Sequence, residues 1–364
     1  MPKINTRQLC FFLAAIAPVG KLILFPTQLV HFAKNDLLFP AAANFLLQAG
    51  IIFLILLLSR NNKTFYELLS YTFGKVAAKI IATVFSLFLF YAAILPIIEQ
   101  KFFVHFAFYD TLPSIVAFLP FFLVSAYLCA KPLEHFGRIW DALAPVSIVA
   151  FIGLMVFSVG EADFNALAPV GAGGVNGFFS GTAYTMSWFY DSAILLLLMG
   201  KFEYKKGTAW KCTLCYLVGA AAILFFLSVF YGVFSDIAVR QIFAFAKISK
   251  YFAGISLLGR IDYLFIYAIA LVMAFYCTLP LHAGIDCIVN AFKPRDGERS
   301  RLLAILLSVG VNLAFCILSL CVNYTFRSLN EAITQTVFWI FPLFALLIPL
   351  LALALRRSPR EKAK

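Results

Sequence analysis

Ten runs of about 20 apolar residues constrain this chain more than any other feature. They lie near 8–31, 39–59, 77–100, 113–130, 140–160, 177–200, 211–235, 258–283, 301–322 and 332–355. Each is long enough to cross the roughly 30 Å hydrocarbon core of a bilayer as a helix. Only helices and closed barrels satisfy every backbone hydrogen bond in lipid, and runs of this length select the helix. The expected fold class is an all-α polytopic membrane protein with ten transmembrane helices. Composition agrees, since 63% of the residues are hydrophobic and 13% charged, against roughly 25% charged in soluble domains.

Charge placement predicts an orientation. With the N-terminus inside, 21 of the 29 lysines and arginines fall in inner segments and six in outer ones, while Lys21 and Arg260 lie within or at the edge of spans. That bias predicts both termini in the cytoplasm and an even span count. The net charge of +12 is spread over short clusters between apolar runs. The expected surroundings are therefore the lipid bilayer and not nucleic acid. No cleavable signal peptide is expected, because Lys3 and Arg7 lead into a run that lacks a small-residue cleavage site and continues through Lys21.

Outer segments are short except 160–176 and 236–257, which leaves no room for a soluble catalytic domain. Function is expected inside the helix bundle. Residues 63–76 read as an inner amphipathic helix. Six of the eight cysteines sit in or near apolar runs and read as packing residues, while Cys212 and Cys215 form a CxxC with no second ligand pair. No metal and no cofactor are expected. The stretch His105 to Asp110 matches the bare HxxxxD pattern of some acyltransferases without any supporting motif, so no enzyme is expected.

The informative residues are polar ones inside spans. In span 1, Pro18, Val19, Gly20 and Lys21 stand together, with Lys21 about 20 Å from the inner end at 1.5 Å per residue. Proline removes an amide and glycine admits close approach. The group reads as a discontinuous helix lining a cavity, or as a proline kink with Lys21 paired or snorkelling. Span 6 carries Asp191 within about 6 Å of the same depth, and Tyr184, Trp188 and Asp191 fall at i, i+4 and i+7 on one helix face. A Lys21–Asp191 pair is expected, functional or purely structural. Span 8 places Arg260, Asp262, Tyr263 and Tyr267 at its outer end, where they are positioned to gate a cavity, and His282 and Asp286 one turn apart at its inner end, as an interfacial hydrogen bond or a proton relay. Glu99 follows Pro96 near the outer end of span 3 and reads as a solvated interfacial carboxylate or a coupling group.

Four stretches follow one another along the chain: NTRQL leading to GKLILFP, FGKVAAKIIATVFSLFLFYAAILPIIE, DFNALAPVGAGGVNGFFSGTAYTMSWFYDSAILLLLMGKF and LLGRIDYLFIYAIALVMAFYCTLPLHAGID. Their order resembles the endospore germination permease family, the membrane-embedded B subunit of nutrient germinant receptors (GerAB-type), within the amino acid/polyamine/organocation transporter superfamily. The resemblance implies a LeuT-like architecture of two inverted five-helix repeats, residues 1–160 and 161–355, followed by a basic cytoplasmic tail at 356–364. Helices 1 and 6 would then be broken where they face each other at the midplane. It also implies a substrate site drawn from Pro18, Val19, Gly20, Lys21, Tyr184, Trp188, Tyr190, Asp191 and Tyr267. Gating or coupling would fall to Lys21, Asp191, Glu99, Arg260 and Asp262. Two departures stand out: Lys21 where the superfamily often has a small residue, and Phe189 and Tyr190 where this family often has glycines.

The function so implied is sensing of a small nutrient germinant, an amino acid by preference, between helices 1, 3, 6 and 8. The signal would pass to a larger A-type membrane subunit and a C-type lipoprotein subunit, in the spore inner membrane or the cell membrane. The alternatives are an amino-acid permease, proton-coupled through Asp191 or Lys21, and an ion or water conduit.

Overall fold

The computed structural model describes residues 3–108, 113–250, 262–292 and 298–322, with isolated positions between 340 and 351. The tenth expected span, the basic tail, Asp110 and Arg260 lie outside or largely outside the described residues. The fold is all-helical, with no strand among the described residues.

Among the described residues six helices are long and apolar enough to cross a bilayer unaided: α3 (Leu38–Leu58), α5 (Lys75–Phe108), α7 (Glu134–Ser158), α10 (Thr208–Phe234), α12 (Asp262–Phe292) and α13 (Glu298–Cys321). A bent pair, α1 (Thr6–Phe11) with α2 (Phe25–Ala33), is long and apolar enough to make a seventh when its two parts are taken as one span. The shorter apolar α6 (Ser114–Cys129) matches expected span 4, and α8 (Gly174–Thr185) with α9 (Asp191–Leu197) matches span 6. This is an integral membrane protein.

The amphipathic stretch after span 2 becomes α4 (Phe65–Phe73). It starts where Thr64 and Glu67 satisfy each other's backbone amides, and it stops at Gly74, whose φ of 87° few side chains tolerate. A short helix, α11 (Ala244–Ser249), follows α10.

Burial sorts the helices. All seven residues of α9 are buried, and α5 and α12 pack along each other at the centre. By contrast α13 turns Leu302, Leu306, Val309 and Leu313 outward, as a helix against lipid should. The N-terminal segment reaches the end of span 6, where Ile4 donates to the Lys201 carbonyl at 3.0 Å and receives the Glu203 amide at 2.9 Å. Both broken spans therefore meet at the N-terminal end of the bundle as well as at its centre.

Candidate functional site at the meeting of two broken helices

Around Pro18 the chain leaves the α-helix. The helix widens to a π-turn over Phe12–Ile16, tightens to a 3-10 turn over Ala17–Lys21, and resumes as α2 on an axis bent by 62°. Backbone groups freed in this way must find partners, because lipid offers none. Ser147 of α7 donates to the Ala15 carbonyl at 2.9 Å. The Ala244 amide donates to the Ile23 carbonyl at 2.9 Å, and the Leu24 amide donates to Glu99 Oε1 at 2.7 Å.

That last contact corrects the reading of Glu99 as a solvated carboxylate. Its helix does not end near residue 100 but runs on to Phe108, so Glu99 lies about 14 Å inside the end of α5 and is 0% exposed. It serves as an acceptor for the broken helix.

Span 6 breaks as well. α8 gives way to a 3-10 turn over Met186–Trp188, Phe189 and Tyr190 leave helical geometry, and α9 starts at Asp191. The expected single face of Tyr184, Trp188 and Asp191 requires a continuous helix, and the break separates them. Tyr184 packs on Phe32 with ring centroids 4.4 Å apart, and Trp188 packs edge-on against Phe25 at 6.3 Å. Of the three, Asp191 turns to the centre.

There it meets Lys21, with Nζ 2.5 Å from Asp191 Oδ2. The other carboxylate oxygen accepts from the Tyr276 hydroxyl at 2.8 Å. Lys21 is 1% exposed and Asp191 0%. Removing two charges from water this completely is repaid only when geometry is good and remaining valences are met, and here both carboxylate oxygens have a donor. The ammonium also lies 5.2 Å from the Phe189 ring centroid, within cation–π range. Gly20 is required beside it, since a Cβ there would stand 2.6 Å from the Tyr276 ring. The aromatic residues Phe189 and Tyr190 thus wall the pair in, with Tyr190 6.1 Å from Tyr276.

A family model described as spore germination protein matches residues 4–325. The chain belongs to the spore germination protein family. Among curated relatives, the spore germination protein YndE of Bacillus subtilis (strain 168) is 23% identical over 151 residues, a stretch that spans 42% of this chain and 42% of that protein. Among solved structures, a mutant of the Eremococcus coleocola manganese transporter superposes with a TM-score of 0.53 at 11% identity, over 98% of this chain and 83% of that one. At that identity the likeness shows the fold alone, which is LeuT-like.

In this family member the structure brings Lys21 and Asp191 into contact, sets Pro18, Val19 and Gly20 in the break, and lines the surroundings with Phe189 and Tyr190, while Trp188 is buried against Phe25. It does not bring in Tyr267, which is 53% exposed and stacks on Phe108 at 3.9 Å. The phenol that reaches Asp191 is Tyr276, nine residues and about 14 Å further along α12. Asp262 sits in the first turn of α12, away from the pair. At the N-terminal end, His282 and Asp286 have separate partners: His282 Nε2 lies 2.9 Å from the Lys131 carbonyl, and Asp286 pairs with Lys201. Cys212 approaches Cys10 of α1, with sulfurs 3.6 Å apart.

Tyr276, Asn44 and Gln48 are absent from the sequence-based expectations. Asn44 donates to Thr185 Oγ1 at 3.0 Å, bracing the end of α8, and Ser192 donates to Gln48 Oε1 at 3.5 Å, beside Asp191. A signal for them exists: two amides four apart in an apolar span share one helix face, and a buried phenol needs a partner.

Proposed function

We propose that this chain is the membrane-embedded germinant-sensing subunit of a spore germination receptor, and that its ligand is a small nutrient carrying both an ammonium and a carboxylate. The observation that carries this reading is the buried Lys21–Asp191 pair bridging two helix breaks. A zwitterion presents the same two charges at the same spacing, so it can insert between them, its ammonium on Asp191 and its carboxylate on Lys21. Tyr276 then stays on the carboxylate of Asp191, while the indole N–H of Trp188, which has no partner in the closed site, is available to the ligand. One carboxylate facing an ammonium and a phenol suits an organic zwitterion better than a divalent ion, which calls for several oxygen ligands.

Ligand insertion separates α1 and α9 at their breaks, and a ligand that binds the separated state more tightly shifts the bundle toward it. In a sensor that shift passes to an A-type membrane subunit and a C-type lipoprotein, with both termini of this chain in the cytoplasm. The transporter-like fold supports a second reading, an amino-acid permease working through the same site by alternating access.

The test is thermal unfolding of the purified protein against amino acids, sugars and nucleosides, in wild type and Lys21→Ala. A true ligand at 100 times its dissociation constant adds about 2.7 kcal/mol. A shift confined to amino acids and to wild type is expected. Stabilisation by uncharged sugars, or an equal shift in Lys21→Ala, would overturn the assignment of the pair. Uptake by the chain alone in liposomes would favour the permease.

A further inference from the structure

A cavity of about 800 Å³ opens at the N-terminal end of the bundle, between α6, α12 and α13. It is separate from the Lys21–Asp191 site and shares no residue with it. Among the described residues two cations line it, Lys131 in the turn after α6 and Arg301 in the first turn of α13. No carboxylate pairs with either among the described residues. The carboxylate among the described lining residues, Asp286, is paired with Lys201, so the described lining carries a net positive charge from the two cations. Lys131 is held in place twice: its carbonyl lies 2.9 Å from His282 Nε2, and its ammonium sits 4.7 Å from the Tyr127 ring centroid. The wall that continues away from the cations is apolar, and its residues Ile305 and Val309 are 44% and 55% exposed on the outer face of α13.

Positive charge at the mouth and an apolar wall running toward the membrane core match one class of molecule. The geometry points to a binding site for an anionic phospholipid, with the headgroup phosphate between Lys131 and Arg301 and an acyl chain along Ile305, Val309 and Ala126. Basic pockets between transmembrane helices recognise such headgroups by charge, at about 1 kcal/mol for each lysine or arginine near the surface. A lipid seated here wedges α13 against α6 and α12, helices that otherwise have lipid on one side.

The experiment uses the full chain, purified and reconstituted in nanodiscs of phosphatidylcholine alone or with phosphatidylglycerol. Retained lipid is counted by native mass spectrometry, and the unfolding midpoint is measured alongside. Wild type is expected to retain phosphatidylglycerol and to unfold at higher temperature in its presence. Lys131→Gln and Arg301→Gln should each weaken retention roughly fivefold and the double variant roughly 30-fold. Lys206→Gln with Lys211→Gln, exposed cations at the same end but outside the cavity, should change nothing. The proposal falls if the double variant retains the lipid as wild type does, or if the outside pair loses as much. It also falls if inorganic phosphate or glycerol phosphate stabilises the protein as well as the lipid, since the site would then read a free anion.

Discussion

The break in span 1 and the break in span 6 meet at one ion pair, but the groups they free find partners in different places. At the first break the partners come from distant parts of the fold: Ser147 on α7, Glu99 on α5 and the start of α11. At the second they are local, with the Phe189 amide on the Met186 carbonyl and the Ala193 and Ile194 amides on the Tyr190 carbonyl. Its flank is tied to α3, where Asn44 donates to the Thr182 carbonyl at 3.2 Å and to Thr185 Oγ1 at 3.0 Å. The turn itself is held by ring packing, with Phe189 5.9 Å from Phe25 and 5.0 Å from Phe45. Long-range hydrogen bonds fix the first break itself to the scaffold. At the second they hold the flanks, at Thr185 and Ser192, whereas residues 186–190 between them rest on local turns and rings that can repack. Motion that accompanies ligand entry should therefore be concentrated in span 6.

The largest effect should come from the pair that joins the two breaks. Lys21→Met or Asp191→Asn leaves one buried charge without its partner, which costs about 3–5 kcal/mol when a buried pair is broken from one side. The double variant Lys21→Met with Asp191→Leu should recover most of that stability, because well-packed apolar replacements of buried pairs are often neutral. The ligand response should be absent from all three. Thermal unfolding with and without amino acids separates the two quantities, and a double variant as unstable as the singles would show that the pair's contribution is not electrostatic.

Smaller effects test whether the first break is scaffold. Glu99→Leu removes the acceptor of the Leu24 amide and should cost about 1–3 kcal/mol, the usual penalty for stranding a buried donor. Glu99→Gln keeps an acceptor oxygen and should cost less. Ser147→Ala should lose about 1 kcal/mol through the Ala15 carbonyl. Hydrogen exchange should rise near Leu24 in Glu99→Leu and stay unchanged around Phe189; a rise confined to span 6 would reverse the assignment of fixed and movable breaks.

Much of this is legible in the sequence because lipid makes polar residues conspicuous. Lys21 and Asp191 stand out as charges at similar depth, and Pro18 with Gly20 marks the first break. The second break carries no such mark. Phe189 and Tyr190 are ordinary aromatic residues, and their departure from the helix is imposed by packing against Phe25, Phe45 and Tyr276. Those contacts come from three other helices, so no local pattern could announce them. Hydropathy misplaces Glu99 for a related reason: it fixes where a run begins, but α5 extends past its apolar core to Phe108 and carries the carboxylate inward. Both Tyr267 and Tyr276 lie on α12, and it takes the depth and the rotation of that helix together to set Tyr276, about 14 Å further along, on Asp191.

The smallest effect is the sharpest test of the second break. The Trp188 indole N–H is buried without a partner, so Trp188→Phe removes an unsatisfied donor and keeps an aromatic ring against Phe25. At the first break, loss of one polar partner is costly; here the stability of the ligand-free protein should stay within about 0.5 kcal/mol of wild type or rise slightly. The donor's use would appear only with ligand, as a weaker thermal shift at the same amino-acid concentration. Equal shifts in wild type and Trp188→Phe would remove this N–H from the ligand contacts and leave the aromatic wall with packing as its role. A weaker shift with unchanged ligand-free stability would identify the span 6 break as the part of the site that waits for its ligand.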